Sequence, residues 1–223
     1  MKAERPRKEP FVRRGLDDFA DIERAAQESF ARFRTRLLGP ILMPLRCLGV
    51  SADLLTLMGL VMLIPYAYFF ISHPIWAVGF LLGSVLVDGL DGVFARATGT
   101  ANEGGAFTDV CADQVGVVVT SLLLVHHGLV FPALGAYYAL SHVTMVALSV
   151  FQNSLGVPLQ IIVRSKYPLY VFVATWAVSG WNGFAWLMGI FSLTMTWSAF
   201  QSFFRLKRHF AHVDAGSREE GNE

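Results

Sequence analysis

Charge is scarce through most of this sequence. Between Leu54 and His212 there are five carboxylates, Asp88, Asp91, Glu103, Asp109 and Asp113, and from Gln114 to Val213 there is none. Basic residues are as rare: Arg96, Arg164 and Lys166 are the only Lys or Arg between Leu54 and Phe204. Cysteine is limited to Cys47 and Cys111, one expected near the membrane surface and one inside, so no disulfide is expected and both read as small packing residues. The charged N-terminus has no apolar core segment behind it, which argues against a cleavable signal peptide. No internal repeat or low-complexity tract is evident. The net charge of +1 singles out no partner, and no nucleic acid is expected.

Apolar residues are abundant instead. They make up 54% of the 223 residues, above the 45–50% or so of a soluble domain. The excess is concentrated in residues 54–204, behind a polar segment 1–50, which argues for one membrane domain rather than two soluble ones. A membrane helix needs roughly 20 mostly apolar residues. Candidate spans are 54–72, 75–95, 104–125, 129–153, 167–183 and 184–204, separated by glycine, proline and histidine breaks. The expected fold is therefore all-α and integral to the membrane, with six transmembrane helices.

Counting cations orients these spans. Eleven of the 18 Lys and Arg lie in residues 1–46, Arg96 between spans 2 and 3, Arg164 and Lys166 between spans 4 and 5, and four after Phe204. The other loops have none. This pattern puts both termini on the cytoplasmic side, in the cytoplasmic (inner) membrane. In residues 21–47, Phe30, Phe33, Leu37 and Leu38 can share a helical face flanked by Arg32, Arg34 and Arg36, which reads as an amphipathic interfacial helix on the inner leaflet. Three regions follow: a cytoplasmic segment 1–50, a six-helix membrane domain 51–206, and a cytoplasmic tail 207–223 expected to be disordered.

Four of the five carboxylates fall inside predicted spans, where each costs at least about 2.5 kcal/mol at the bilayer centre. No basic residue lies within a predicted span to offset them, so bound divalent cations are expected to. Asp88 and Asp91 are spaced i,i+3 on one helix, and Asp109 and Asp113 i,i+4 on the next. The two helices run antiparallel from a short loop, so Asp91 and Asp109 reach similar depth, roughly 8–9 Å below it at 1.5 Å per residue. Such hard oxygen ligands suit Mg²⁺ or Mn²⁺, and two pairs suit two ions. His73, His126, His127 and His142 are placed toward the outer side, away from this cluster. Membrane carboxylates also mark ion pathways, so an ion or proton transporter is the alternative from another class; it would need ionisable residues in both leaflets, and these acids lie on one side.

The run from Asp88 to Asp113 contains D-x2-D-G-x2-A-R-x8-G-x3-D-x3-D, with Asp88, Asp91, Gly92, Ala95, Arg96, Gly105, Asp109 and Asp113 at its eight fixed positions. This resembles the signature of the CDP-alcohol phosphatidyltransferase family. The resemblance implies transfer of a phosphatidyl group from a CDP-linked lipid to a small alcohol acceptor with release of CMP. It implies two metal ions, with Asp88, Asp91, Asp109 and Asp113 as ligands and Asp113 also as general base. Gly92 and Arg96 would contact the CDP group, and Asp53, Thr56 and Asn102 are further nucleotide contacts it suggests. Ala52 stands where relatives often carry proline. Relatives are commonly homodimers, so a homodimer is expected. Arg164 and Lys166, at the cytoplasmic mouth of span 5, would bind a phosphorylated acceptor such as glycerol 3-phosphate or inositol phosphate. Two cations are few for that task, which keeps serine, choline or free inositol open as acceptors.

Overall fold

The computed structural model describes residues 50–157 and 164–220. The expected amphipathic helix in residues 21–47 and Cys47 lie outside them. The described residues are helical, in the order α1 (Ala52–Val61), α2 (Leu63–Phe69), α3 (Pro74–Thr98), α4 (Glu103–His126), α5 (Pro132–Ser154), α6 (Lys166–Ser179) and α7 (Phe184–Glu220). α1 and α2 form one interrupted span. Pro65 has no N–H to donate to the Val61 carbonyl, so that rung is missing and the span divides at Met62, although the Met62 N–H still donates to the Met58 carbonyl at 3.1 Å. Among the described residues, six helices therefore stand where six were expected.

Local chemistry sets the ends. Ser51 caps α1 by accepting from the Leu54 N–H at 3.1 Å. Pro74 and Pro132 occupy first-turn positions, where a missing N–H costs nothing. α3 and α6 stop at Gly99 and Gly180, both with φ of 72°, a left-handed conformation that suits glycine.

Among the described residues, four spans are long and apolar enough to cross a membrane: Ala52–Phe69, Pro74–Thr98, Gly104–His126 and Pro132–Ser154. α6 has only 14 residues, shorter than the span expected at 167–183 because Gly180 ends it early. α7 is longer than expected. It continues past the apolar stretch to Glu220, through a segment read from sequence as a disordered tail. From Lys207 to Glu220 there is no proline and one glycine, Gly216, so nothing there forces a stop.

The interior is built from Tyr66, Phe70, Tyr138, Phe184, Met188 and Met195, all fully buried. Phe70 stacks on Trp176 at 5.2 Å between ring centroids and meets Tyr66 edge-on at 5.6 Å. Only 28–33% of each spanning window is buried within the protein. Side chains such as Tyr68, Leu86, Trp186 and Leu193 point outward, an apolar surface that only a lipid environment accommodates. The protein is an integral membrane protein. α1 packs on α3 and α4, α5 on α7, and α6 against α3. That last contact brings the start of α6 to the acidic helices.

Candidate active site

α3 and α4 carry the four aspartates. Asp88 and Asp91 lie one turn apart near the end of α3. After the left-handed Gly99, Asn102 starts α4 by accepting from the Gly105 N–H at 2.8 Å. A Cβ at position 104 would come within 3.2 Å of the Asn102 side-chain oxygen Oδ1, so Gly104 leaves room for this cap. Glu103, expected in the loop, is the first residue of α4.

Carboxylate oxygens of Asp88, Asp91 and Asp109 all lie within 4.8 Å of one another. Asp91 is 5% exposed and its oxygens are fixed: Oδ2 accepts from the Thr56 hydroxyl at 2.5 Å and Oδ1 from the Gly92 N–H at 2.5 Å. Three hard oxygen donors converging in this way fit a divalent cation. Asp113 is not part of that group. Its Oδ1 instead accepts from the ammonium of Lys166, which also donates to Asp88 Oδ2 at 3.0 Å.

Lys166 therefore corrects the sequence reading. No basic residue lies within a predicted span, and Lys166 is expected at the cytoplasmic mouth, on the side of the aspartates, as an acceptor contact. It is the first residue of α6, is 8% exposed, and points into the aspartates because α6 packs on α3. His142, expected toward the outer side and too far to be a ligand, is not in the carboxylate group; it lies buried on α5 with Nδ1 3.1 Å from Oγ of Ser165, the residue next to Lys166.

The remaining candidates divide. Arg96 is exposed and folds back over Gly92, where a Cβ would lie 3.4 Å from its guanidinium Nη1. Asp53 and Asn102 line a cavity of about 320 Å³ with Ser51, Thr98 and Thr100, near the loop between α3 and α4. Thr56 is not on that cavity wall and instead holds Asp91. Arg164 is exposed, two residues before Lys166.

Sequence reasoning missed three contributors. Gly59 lets α1 approach α3 closely, since a Cβ there would lie 3.4 Å from the Ser84 carbonyl. Gly116, one turn beyond Asp113, accommodates the Tyr170 hydroxyl, which would stand 2.4 Å from an added Cβ. Tyr170 is four residues after Lys166 on the same face of α6, and both line a narrow cleft with Asp88 and Asp113. The i,i+4 spacing was readable, but not the helix it faces.

The CDP-alcohol phosphatidyltransferase family matches residues 50–199. This chain belongs to the CDP-alcohol phosphatidyltransferase family. Its fold is similar to that of phosphatidylinositol phosphate synthase from Mycobacterium tuberculosis. The crystal structure of that protein with CDP-DAG bound has a TM-score of 0.61 and 18% identity, over 76% of this chain and 93% of that one. The structure of the same protein with manganese and citrate has a TM-score of 0.59 and 18% identity, over 74% and 87%. No curated protein matches the chain in sequence. Membership makes this phosphatidyltransferase an enzyme and sets aside the transporter alternative.

Proposed function

We propose that this phosphatidyltransferase moves a phosphatidyl group from CDP-diacylglycerol to a phosphorylated polyol, such as glycerol 3-phosphate or inositol phosphate, and releases CMP. The observation that carries the reading is the convergence of Asp88, Asp91 and Asp109, with Asp113 one turn away, inside the 26-residue family motif. Asp88, Asp91, Asp109 and Asp113 would hold two ions of Mg²⁺ or Mn²⁺. When bound, these supply charge stabilisation for the diphosphate as CMP leaves.

The protein's own groups do the rest. Asp113 takes the proton of the acceptor hydroxyl. Lys166 engages its Oδ1, which leaves Oδ2 for that proton. The acceptor oxygen bonds to the phosphorus on the lipid side, the bond from that phosphorus to the CMP oxygen breaks, and CMP departs with the electron pair. Thr56 keeps Asp91 oriented. Arg96 and Gly92 receive the CDP phosphates, while Asp53 and Asn102 border the cavity in which the nucleotide is seated. Arg164 and Lys166 attract the acceptor phosphate.

The site opens on the cytoplasmic side of the inner membrane, where both termini lie, so a water-soluble nucleotide and a lipid can meet there. The working unit is a homodimer. An unphosphorylated acceptor, such as serine, choline or inositol, is the second reading. The pairing of Lys166 with Asp88 and Asp113 favours it, because a cation held by two carboxylates is less available to a phosphate. Incubating the purified protein with CDP-diacylglycerol, Mg²⁺ or Mn²⁺ and each acceptor in turn, then weighing the lipid product, separates the two. A phosphatidylserine-type mass without any phosphorylated headgroup would overturn the first reading.

A further inference from the structure

Lys166 opens α6, and the residue before it is held from two other helices. The Ser165 hydroxyl lies 3.1 Å from Nδ1 of His142 on α5 and 3.4 Å from the Met195 sulfur on α7. The Ser165 carbonyl accepts from the Tyr138 hydroxyl at 3.4 Å. Tyr138 is one turn from His142 on α5, and their rings stack with centroids 6.4 Å apart. Ser165 is fully buried and His142 is 5% exposed.

A serine at the start of a helix ordinarily turns its hydroxyl back to accept from the first-turn N–H groups. Ser165 makes no such bond, and its backbone is already in the right-handed helical region. Its hydroxyl is turned to His142 instead. The start of α6 is thus fixed by α5 rather than by its own cap. A lysine side chain is long and flexible, so the place its ammonium reaches depends on where its Cα is anchored.

We propose that His142 is a positioning residue for the aspartate site: through Ser165 it fixes the start of α6 and so places the Lys166 ammonium between Asp88 and Asp113. The proposal rests on the reading of the aspartates as a cation site. A fixed positive charge among those carboxylates repels an incoming divalent cation. Releasing or removing it therefore tightens cation binding, which a purely structural histidine would not do through Lys166.

The test is a double-mutant cycle on the full-length protein in detergent micelles, with Mn²⁺ binding read from the electron paramagnetic resonance signal of the free ion. His142→Ala and Ser165→Ala are each expected to lower the Mn²⁺ Kd by about three- to tenfold, the size of coupling seen within one network. Lys166→Gln is expected to lower it as well. In the Lys166→Gln background, His142→Ala is expected to have no further effect. His142→Asn, whose amide can stand near the Nδ1 position, is expected to restore the wild-type value. If His142→Ala fails to fold, Ser165→Ala with and without Lys166→Gln reads the same coupling. Equal shifts in both backgrounds, or no shift in either, would overturn the proposal and leave the cation reading intact. A wild-type protein that binds no Mn²⁺ would overturn both.

Discussion

The ammonium of Lys166 lies 3.0 Å from Oδ2 of Asp88, across 78 residues of sequence, and it bonds Asp113 as well. One cation thus ties the start of α6 to the two helices that carry the acidic motif. The aspartates have an internal counter-charge, and the 14-residue α6 is joined to the site by it.

Lys166→Gln removes that counter-charge while keeping most of the side chain. With four carboxylates left facing one another, stability is expected to fall by about 1–3 kcal/mol, the cost of leaving a buried group unpaired. The partners are not fully enclosed, with Asp113 36% exposed, which keeps the cost in that range. Tryptophan fluorescence during heating in micelles should show a lower Tm without divalent cations and recovery of most of the loss when Mg²⁺ is added. A Tm equal to wild type in both conditions would argue that the pair contributes nothing.

Thr56→Val keeps the shape of the side chain and removes the hydroxyl that donates to Asp91. Loss of a group that orients a ligand typically costs 10–100-fold in metal affinity or activity. A loss of about that size in the rate of CMP release is expected, together with a stability loss of about 1–3 kcal/mol from the unpaired Asp91 oxygen. Wild-type rates would mean that Asp91 is held well enough by the Gly92 N–H alone.

Gly116→Ala drives a methyl group into the Tyr170 hydroxyl, only 2.4 Å from where the Cβ would stand. Overpacking of this kind costs roughly 1–3 kcal/mol. Tyr170→Phe removes the oxygen in the way, so the double variant should recover much of the lost Tm. If the double variant is no better than Gly116→Ala alone, the contact is not the one that matters.

Much of this site could be read from the sequence, for a physical reason. Carboxylates in an apolar run stand out because a bilayer penalises them, and their i,i+3 and i,i+4 spacing fixes which helix face they share. Asp88, Asp91 and Asp109 converge for that reason. Lys166 is visible as a charge and is expected at the cytoplasmic mouth as an acceptor contact, but nothing local tells how deep the start of α6 sits. His142 and Ser165 meet across 23 residues, and no periodicity announces a long-range contact between one histidine and one serine. Gly59 and Gly116 were silent likewise, since a glycine's neighbours depend on helices that pack from elsewhere in the chain. The end of α6 at Gly180 has a local signal, a left-handed glycine, although the apolar run read from sequence extends to 183.

The most direct measurement is CMP release from CDP-diacylglycerol by the purified protein with an alcohol acceptor, with and without Mg²⁺ or Mn²⁺. The account predicts CMP release that needs both the acceptor and the metal, and that falls by two orders of magnitude or so in Asp113→Asn. No CMP from any acceptor with either metal, or full activity in Asp113→Asn, would contradict it.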